Sequence, residues 1–274
     1  MSSLRSSPIA CIDPETTGLG PDARVIEVAV VHTDWHSLPR VAYSARVNPG
    51  RPIEAGASAV HGITDADVAD APTFAAILPE LLRVIEGRVV CAYNAPYDLG
   101  RLRYELELTG EADPATTLRW PWVDACVLRK ARPRGVYGGN KLSEVCLELG
   151  CTLDAHGAAG DAMALALALP HVVSGVDTRL ADLDLAALLE RQERRALEQE
   201  EGFVRWAREK GWQDRPDCPW HELAGLPLPA WPERPKPTSC CPRCSFSPVT
   251  LQIAKNGDLA ILNALGLAHR CDAP

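Results

Sequence analysis

Three β-branched apolar runs open the chain: Pro8 to Asp13, Arg24 to Val31 and Val41 to Val47. Each reads as a strand, and the short connections between them predict antiparallel neighbours. Pro14 cannot donate a ladder hydrogen bond, so the first strand is expected to end there. Asn48 to Pro52 is a turn, and Thr64 with Asp65 and Asp67 can cap a short helix. From Thr73 to Glu86 the apolar positions 74, 77, 78, 81, 82 and 85 follow the helical period, and Gly87 stops them. Arg88 to Tyr93 is another short strand. A helix opens after it at Asn94, with Pro96 in its first turn. Trp122 to Leu128 reads as a strand or a strand-to-helix junction. Lys141 to Leu149 reads as a short helix closed by Gly150. Ala158 to Leu169 is apolar nearly all round, predicting a buried helix that Pro170 stops. This alternation of strands and helices predicts parallel additions to the sheet.

Beyond Pro170 the pattern changes. Leu180 to Trp212 is rich in Glu and Arg at i,i+4 spacing and reads as a long, mostly solvated helix. Asp214 to Pro237 is a proline- and tryptophan-containing linker or docking segment. Val249 to Ile253 and Leu259 to Leu262 flank Asn256-Gly257, a hairpin signal. Three regions are therefore expected: residues 1–174, 175–212 and 213–274.

With 274 residues, 46% of them hydrophobic, the composition is that of a globular protein. No signal-peptide pattern and no long uncharged apolar stretch stand out, so a cytoplasmic protein with no membrane partner is expected. A net charge of −8 excludes non-specific electrostatic binding of nucleic acid; contact with phosphate would need a local basic patch or metal ions. Of the ten cysteines, Cys11, Cys91, Cys126, Cys146 and Cys151 lie among apolar residues and read as small buried side chains. Cys218, Cys240, Cys241, Cys244 and Cys271 crowd the last quarter, where metal binding comes into question.

The candidate chemistry begins at the first strand end. Asp13 and Glu15 are one residue apart, so on a strand both point to the same face. Their side chains leave the backbone about 7 Å apart, close enough to converge on one divalent cation or flank a pair. Asp98 opens a helix beside a later strand end. Asp161 stands on the apolar helix, where a carboxylate is costly to bury unless paired or bound to metal. His156 lies five residues before it.

Cys11 to Leu19, Tyr93 to Asp98 and His156 to Ala162 resemble the three motifs of the DEDDh 3′–5′ exonucleases, the proofreading-type nucleases related to the epsilon subunit of bacterial replicative polymerase. His61-Gly62-Ile63-Thr64 is similar to a further segment of that family. The resemblance covers about Pro8 to Val173. Pro14 and Tyr93 depart from the usual pattern, and neither is an implied metal ligand.

The resemblance implies a ribonuclease-H-like α/β fold, a mixed five-stranded sheet flanked by helices, followed here by a helical and cysteine-containing extension. It implies that Asp13, Glu15, Asp98 and Asp161 hold two Mg²⁺ or Mn²⁺ ions. Ions about 4 Å apart can serve both the attacking and the leaving oxygen of a phosphodiester. It implies His156 as the base that takes the proton of the attacking water. Thr16, Thr17 and Leu19 are implied contacts of the terminal nucleotide, His61 and Asn94 are further substrate-side candidates, and Asn94 has helix capping as an equal rival. The implied substrate is nucleic acid with a free 3′ end, single-stranded DNA first and RNA as an alternative.

Two features stand outside the resemblance. Arg129, Lys130, Arg132, Arg134 and Lys141 lie in one glycine-containing stretch, which either tracks a phosphate backbone or is an ordinary solvated loop. Cys241 and Cys244 have zinc-knuckle spacing, and His269 with Cys271 would complete a structural Zn²⁺ site. Cys218 and His221 are competing donors, and a hairpin carrying free thiols is the alternative. The rival function is a nucleic-acid-binding or polymerase-docking module that holds a partner through residues 175–274.

Overall fold

The computed structural model describes residues 2–111, 113–131, 139–150 and 157–231, together with the backbone of residues 250–253 and 259–262. The elements run in the order β1 (Ile9–Thr16), β2 (Val25–Thr33), β3 (Arg40–Arg46), α1 (Ala55–His61), α2 (Asp65–Val68), α3 (Phe74–Ile85), β4 (Val89–Ala92) and α4 (Ala95–Leu108). There follow α5 (Pro114–Thr117), β5 (Trp122–Asp124), α6 (Ala125–Lys130), α7 (Leu142–Glu148), α8 (Ala158–Val176), α9 (Leu185–Glu209), α10 (Pro219–Leu223), β6 (Thr250–Ile253) and β7 (Leu259–Leu262). Two compact units form: Met1–Phe203 with Asp217–Leu228, and Val204–Pro216 with Pro229–Pro274.

The first unit holds a five-stranded mixed sheet of order β3-β2-β1-β4-β5. The three N-terminal strands are antiparallel, and β4 and β5 add in parallel. This is the sheet that the run lengths and connections predict. Alternate strand residues serve the two faces. On one face Ile9, Cys11, Ala29 and Val31 meet Leu165 and Leu169 of α8. On the other Ala10, Ile12 and Val28 meet Phe74 and Leu81 of α3 and Leu102 of α4. Each Val, Leu, Ile or Phe among them contributes about 1.5–3 kcal/mol when fully buried, so two continuous cores hold the sheet between helices.

Several expectations are corrected. β1 continues past Pro14 to Thr16, pairing with β2 throughout. Its pairing with β4 ends at Cys11, so from there on the strand has an open edge, where a residue without an N–H is tolerated. Pro170 does not end α8, which runs on to Val176. The buried Val172 and Val173 beyond the proline hold the last turns against the core and offset the lost backbone bond. At 19 residues and a mean hydropathy of 1.4, α8 is long and apolar enough to cross a membrane. Here it packs against β1 and β2, and burial in the core accounts for its composition. Trp122 to Leu128 is both of the expected things, a three-residue strand running straight into α6. Over about half of its residues α9 is exposed, as its composition predicts, but Leu188, Gln192 and Ala196 form a buried stripe.

Gln192 has a specific task. Its Oε1 accepts the Asp124 N–H at 2.8 Å and its Nε2 donates to the Trp122 carbonyl at 3.0 Å. One side-chain amide thus supplies the donor and acceptor that another strand would give the edge of β5. Separately, β6 and β7 pair antiparallel, as the Asn-Gly signal predicts.

Candidate active site

Asp13 and Glu15 lie on β1 beyond the end of its β4 pairing, and Asp161 lies in the first turn of α8. One carboxylate oxygen from each falls within 4.8 Å of the other two. Asp98, in the first turn of α4, is buried and close enough for the Asp13 and Glu15 charges to raise its pKa. Acids from β1 and α8, far apart in the chain, therefore meet at one end of the sheet, with Asp98 of α4 within electrostatic reach.

The cluster is electrostatically costly. Burial, then the negative charges of Glu15, Asp161 and Glu27, pushes the Asp13 carboxyl well above the ordinary carboxylate range. Glu15 is pushed up to about 7 by burial, Asp161 and Glu27. Asp98 is raised by burial first, then by Asp13 and Asp124. Such a set disfavours its own ionised form, and a multivalent cation is the counter-charge that reverses this. The donors are all oxygens, the type that hard divalent cations take.

The local folding that positions these acids is visible residue by residue. Asp98 depends on Asn94, which adopts the left-handed conformation with φ 84°. Asp124, at the end of β5, accepts the N–H groups of Asn94 and Ala95 at 3.2 and 3.1 Å and those of Cys126 and Val127 at 2.8 and 3.1 Å. One buried carboxylate thereby fixes the N-terminal turns of both α4 and α6. The Asn94 side chain makes no capping bond, so it is the Asn94 backbone that enters this arrangement.

Glu27 pairs opposite Glu15 across β1 and β2. It takes Arg46 at 2.7 Å on Oε1 and the Ala158 N–H at 2.9 Å on Oε2, tying β2 to the N-terminal end of the helix that carries Asp161. A lone acid in the apolar run Val25 to Val31 was the available signal for Glu27. Only the strand register shows that it faces Glu15.

The loop after β1 is equally well fixed. Thr16 Oγ1 bonds the Tyr97 hydroxyl at 2.7 Å and donates to the Gly18 carbonyl at 2.8 Å. Thr17 Oγ1 accepts the Arg24 N–H at 3.0 Å. Arg101 Nη1 donates to the carbonyls of Gly20, Pro21 and Ala23 at 3.0, 2.8 and 3.2 Å. The Ile63 N–H donates to His61 Nδ1 at 3.0 Å, so the other nitrogen carries the proton and donates to the Thr16 carbonyl at 3.3 Å. Burial also lowers the His61 pKa, which favours this neutral form. By contrast Leu19 is 86% exposed, an apolar side chain held out from a rigid loop.

Of the other sequence candidates, His156 lies outside the described residues, as do Cys241, Cys244, His269 and Cys271 with the zinc site read from them. The basic stretch is corrected in one member. Arg129 is buried, paired with Glu148 and bonded to the Gly139 carbonyl at 3.1 Å, so it is not presented to a phosphate backbone. Lys130 is exposed, and Arg132 and Arg134 lie outside the described residues.

Comparison with known proteins agrees with this geometry. Residues 10–169 match the family model RNase_T, described as Exonuclease. The chain belongs to that exonuclease family. It is 35% identical over 173 residues to a DNA polymerase III subunit epsilon-like protein of Rhodobacter capsulatus, covering 61% of this chain and 24% of that protein. With the DNA polymerase III subunit epsilon of Escherichia coli it shares 30% identity over 129 residues, 44% of this chain and 53% of that one. The Rickettsia conorii epsilon subunit is 28% identical over 69% of this chain and 82% of its own length. The chain thus spans about a quarter and about half of the first two of these relatives. Among solved structures, Escherichia coli Exonuclease I in complex with a dA16 oligonucleotide superposes with a TM-score of 0.53 at 23% identity, over 64% of this chain and 42% of that one. Exonuclease I from Methylocaldum szegediense gives 0.55 at 20% identity, over 71% and 45%. At these identities the likeness is one of fold, and it is the mixed sheet with flanking helices described above.

Proposed function

We propose that this exonuclease-family chain is a metal-dependent 3′–5′ exonuclease that removes nucleoside monophosphates from the 3′ end of single-stranded DNA. The observation that carries the reading is the convergence of Asp13, Glu15 and Asp161, with Asp98 beside them, inside the segment that matches the family. The four carboxylates are the ligands for two Mg²⁺ or Mn²⁺ ions. When bound, those ions offset the negative charge that builds on the phosphate during hydrolysis.

The chain's own residues do the rest. His156 accepts the proton of the attacking water at an imidazole nitrogen, a role matched by an unperturbed pKa near 6.5. Leu19 provides an apolar surface for the terminal base. Thr16 and Thr17 spend their hydroxyls inside the protein, so their contribution to the nucleotide is through the backbone they hold in place. His61 acts one step further back, as the support of the Thr16 carbonyl. The names of the epsilon relatives extend the proposal to a polymerase partner, taken up by residues 175–274.

Single-stranded DNA, duplex DNA and RNA, each labelled at the 3′ or the 5′ end, test direction, strandedness and sugar preference together in the presence of Mg²⁺. A 5′-labelled strand shortened one nucleotide at a time, inhibited by EDTA and restored by Mg²⁺ or Mn²⁺, is expected. Release beginning at the 5′ end, or cleavage indifferent to EDTA, would overturn the reading.

A further inference from the structure

A second convergence of metal-ligating side chains lies outside the acid cluster. Glu200 on α9, Cys218 at the start of α10 and His221 within it each bring one donor atom within 4.8 Å of the other two. Cys218 and His221 are 2% and 4% exposed. His221 Nδ1 bonds Glu200 Oε2 at 2.6 Å. The Trp220 and His221 N–H groups donate to the same carboxylate at 2.8 and 3.1 Å.

The carboxylate–imidazole pair alone would be an ordinary tie between helices. The thiol makes the difference. Cys-x2-His spacing across the first turn of α10 places sulfur and nitrogen on one side, and α9 supplies oxygen from the other. We propose that Glu200, Cys218 and His221 bind a Zn²⁺ ion that clips α10 to α9.

The donor chemistry selects the metal. A thiolate and an imidazole are poor ligands for Mg²⁺ but suit Zn²⁺, whose structural and catalytic sites use this mixture of donors. Thiolate and carboxylate together carry the two negative charges that balance the ion. Binding releases the proton of the Cys218 thiol to solvent, while the neutral His221 imidazole coordinates through Nδ1 and keeps its single proton on Nε2. With metal–ligand bonds of about 2.0–2.3 Å, tetrahedral donors lie about 3.3–3.8 Å apart, so the Nδ1–Oε2 pair at 2.6 Å opens around the ion while the sulfur, within 4.8 Å, closes on it. A fourth position remains for water. The site is independent of hydrolysis, since none of its ligands belongs to the acid cluster.

The test uses the full-length chain with Cys240, Cys241, Cys244 and Cys271 changed to Ser, so that Cys218 is the one thiol left in the last quarter. Co²⁺ serves as the spectroscopic probe. The acid cluster offers it oxygens alone, so a thiolate-to-cobalt charge-transfer band reports Cys218. Expected is one Co²⁺ per chain with that band, displaced by Zn²⁺ and abolished by Cys218→Ser. Glu200→Gln keeps one oxygen to accept from an α10 N–H group, and it should weaken Zn²⁺ binding by about tenfold or more while the circular dichroism stays unchanged. This variant decides the matter if Cys218→Ser fails to fold. Asp13→Ala should leave the band intact. A missing band, a band that survives Cys218→Ser, or Zn²⁺ affinity unaltered by Glu200→Gln would overturn the proposal.

Discussion

Asp13 shows what the acid cluster costs and what it is for. Its carboxyl is held among Glu15, Asp161 and Glu27, all of which oppose its ionisation. Asn in its place has the same shape and no charge. In EDTA, Asp13→Asn is therefore expected to melt at a higher temperature than the parent chain, because one repulsive partner is gone. In Mg²⁺ the same variant should lose activity by about a thousandfold or more, equivalent to about 4 kcal/mol of transition-state stabilisation. Paired melting and nuclease assays check both halves; a variant both active and unchanged in stability would mean that Asp13 lies outside the cluster's chemistry. The acids were legible in sequence because a charge in an apolar setting is conspicuous: Asp161 on α8 and the Asp13–Glu15 pair at a strand end. Asp124 and Tyr97 were not, because their importance rests on hydrogen bonds to residues about 30 and 81 positions away, Asn94 and Thr16. Arg129 misled for the opposite reason. Composition marks it as basic, while only tertiary structure shows it buried against Glu148.

At the scale of elements, periodicity carried most of the reading. The strands of the sheet, the helices α3, α4 and α7, and the start of α8 stand where alternation and helical spacing put them, within a few residues. The misses came where packing overrides a local preference. A proline inside α8 is costly in isolation, yet the buried turn beyond it persists. The polar composition of α9 concealed Gln192, whose amide completes the open edge of β5. Gln192→Leu keeps about the same volume but strands the Asp124 N–H and the Trp122 carbonyl in a buried setting. The expected loss is about 1–3 kcal/mol of unfolding free energy, measured by urea denaturation. Because the Asp124 carboxylate braces the turn that carries Asp98, this variant should also lower nuclease activity. A variant as stable and as active as the parent would show that water serves the β5 edge equally well.

For the whole molecule, the raised acids couple folding to pH and to metal. Glu15 titrates near 7 in the folded chain against an ordinary value of 4.5, and Asp13 and Asp98 are raised as well. From about pH 4.5 upward the unfolded chain has given up protons that the folded chain still holds. Stability falls with rising pH wherever the folded state binds more protons. These groups therefore favour the fold most in acid, and their contribution is lost as pH climbs through the folded value near 7. In EDTA the melting temperature should decline across that window, and the decline should be shallower in Glu15→Gln. Divalent cations reverse the sign. On the proposed reading they bind the ionised carboxylates of the folded chain, so they would stabilise it by mass action and compete with protons for the same oxygens. The rise in melting temperature on adding Mg²⁺ should accordingly be small near pH 5.5 and larger near pH 7.5. Thermal scans across that range, with and without Mg²⁺, measure it directly. A Mg²⁺ effect of the same size at both pH values would show that the ions are not held by these raised carboxylates, and the assignment of Asp13, Glu15 and Asp98 as their ligands would fail with it.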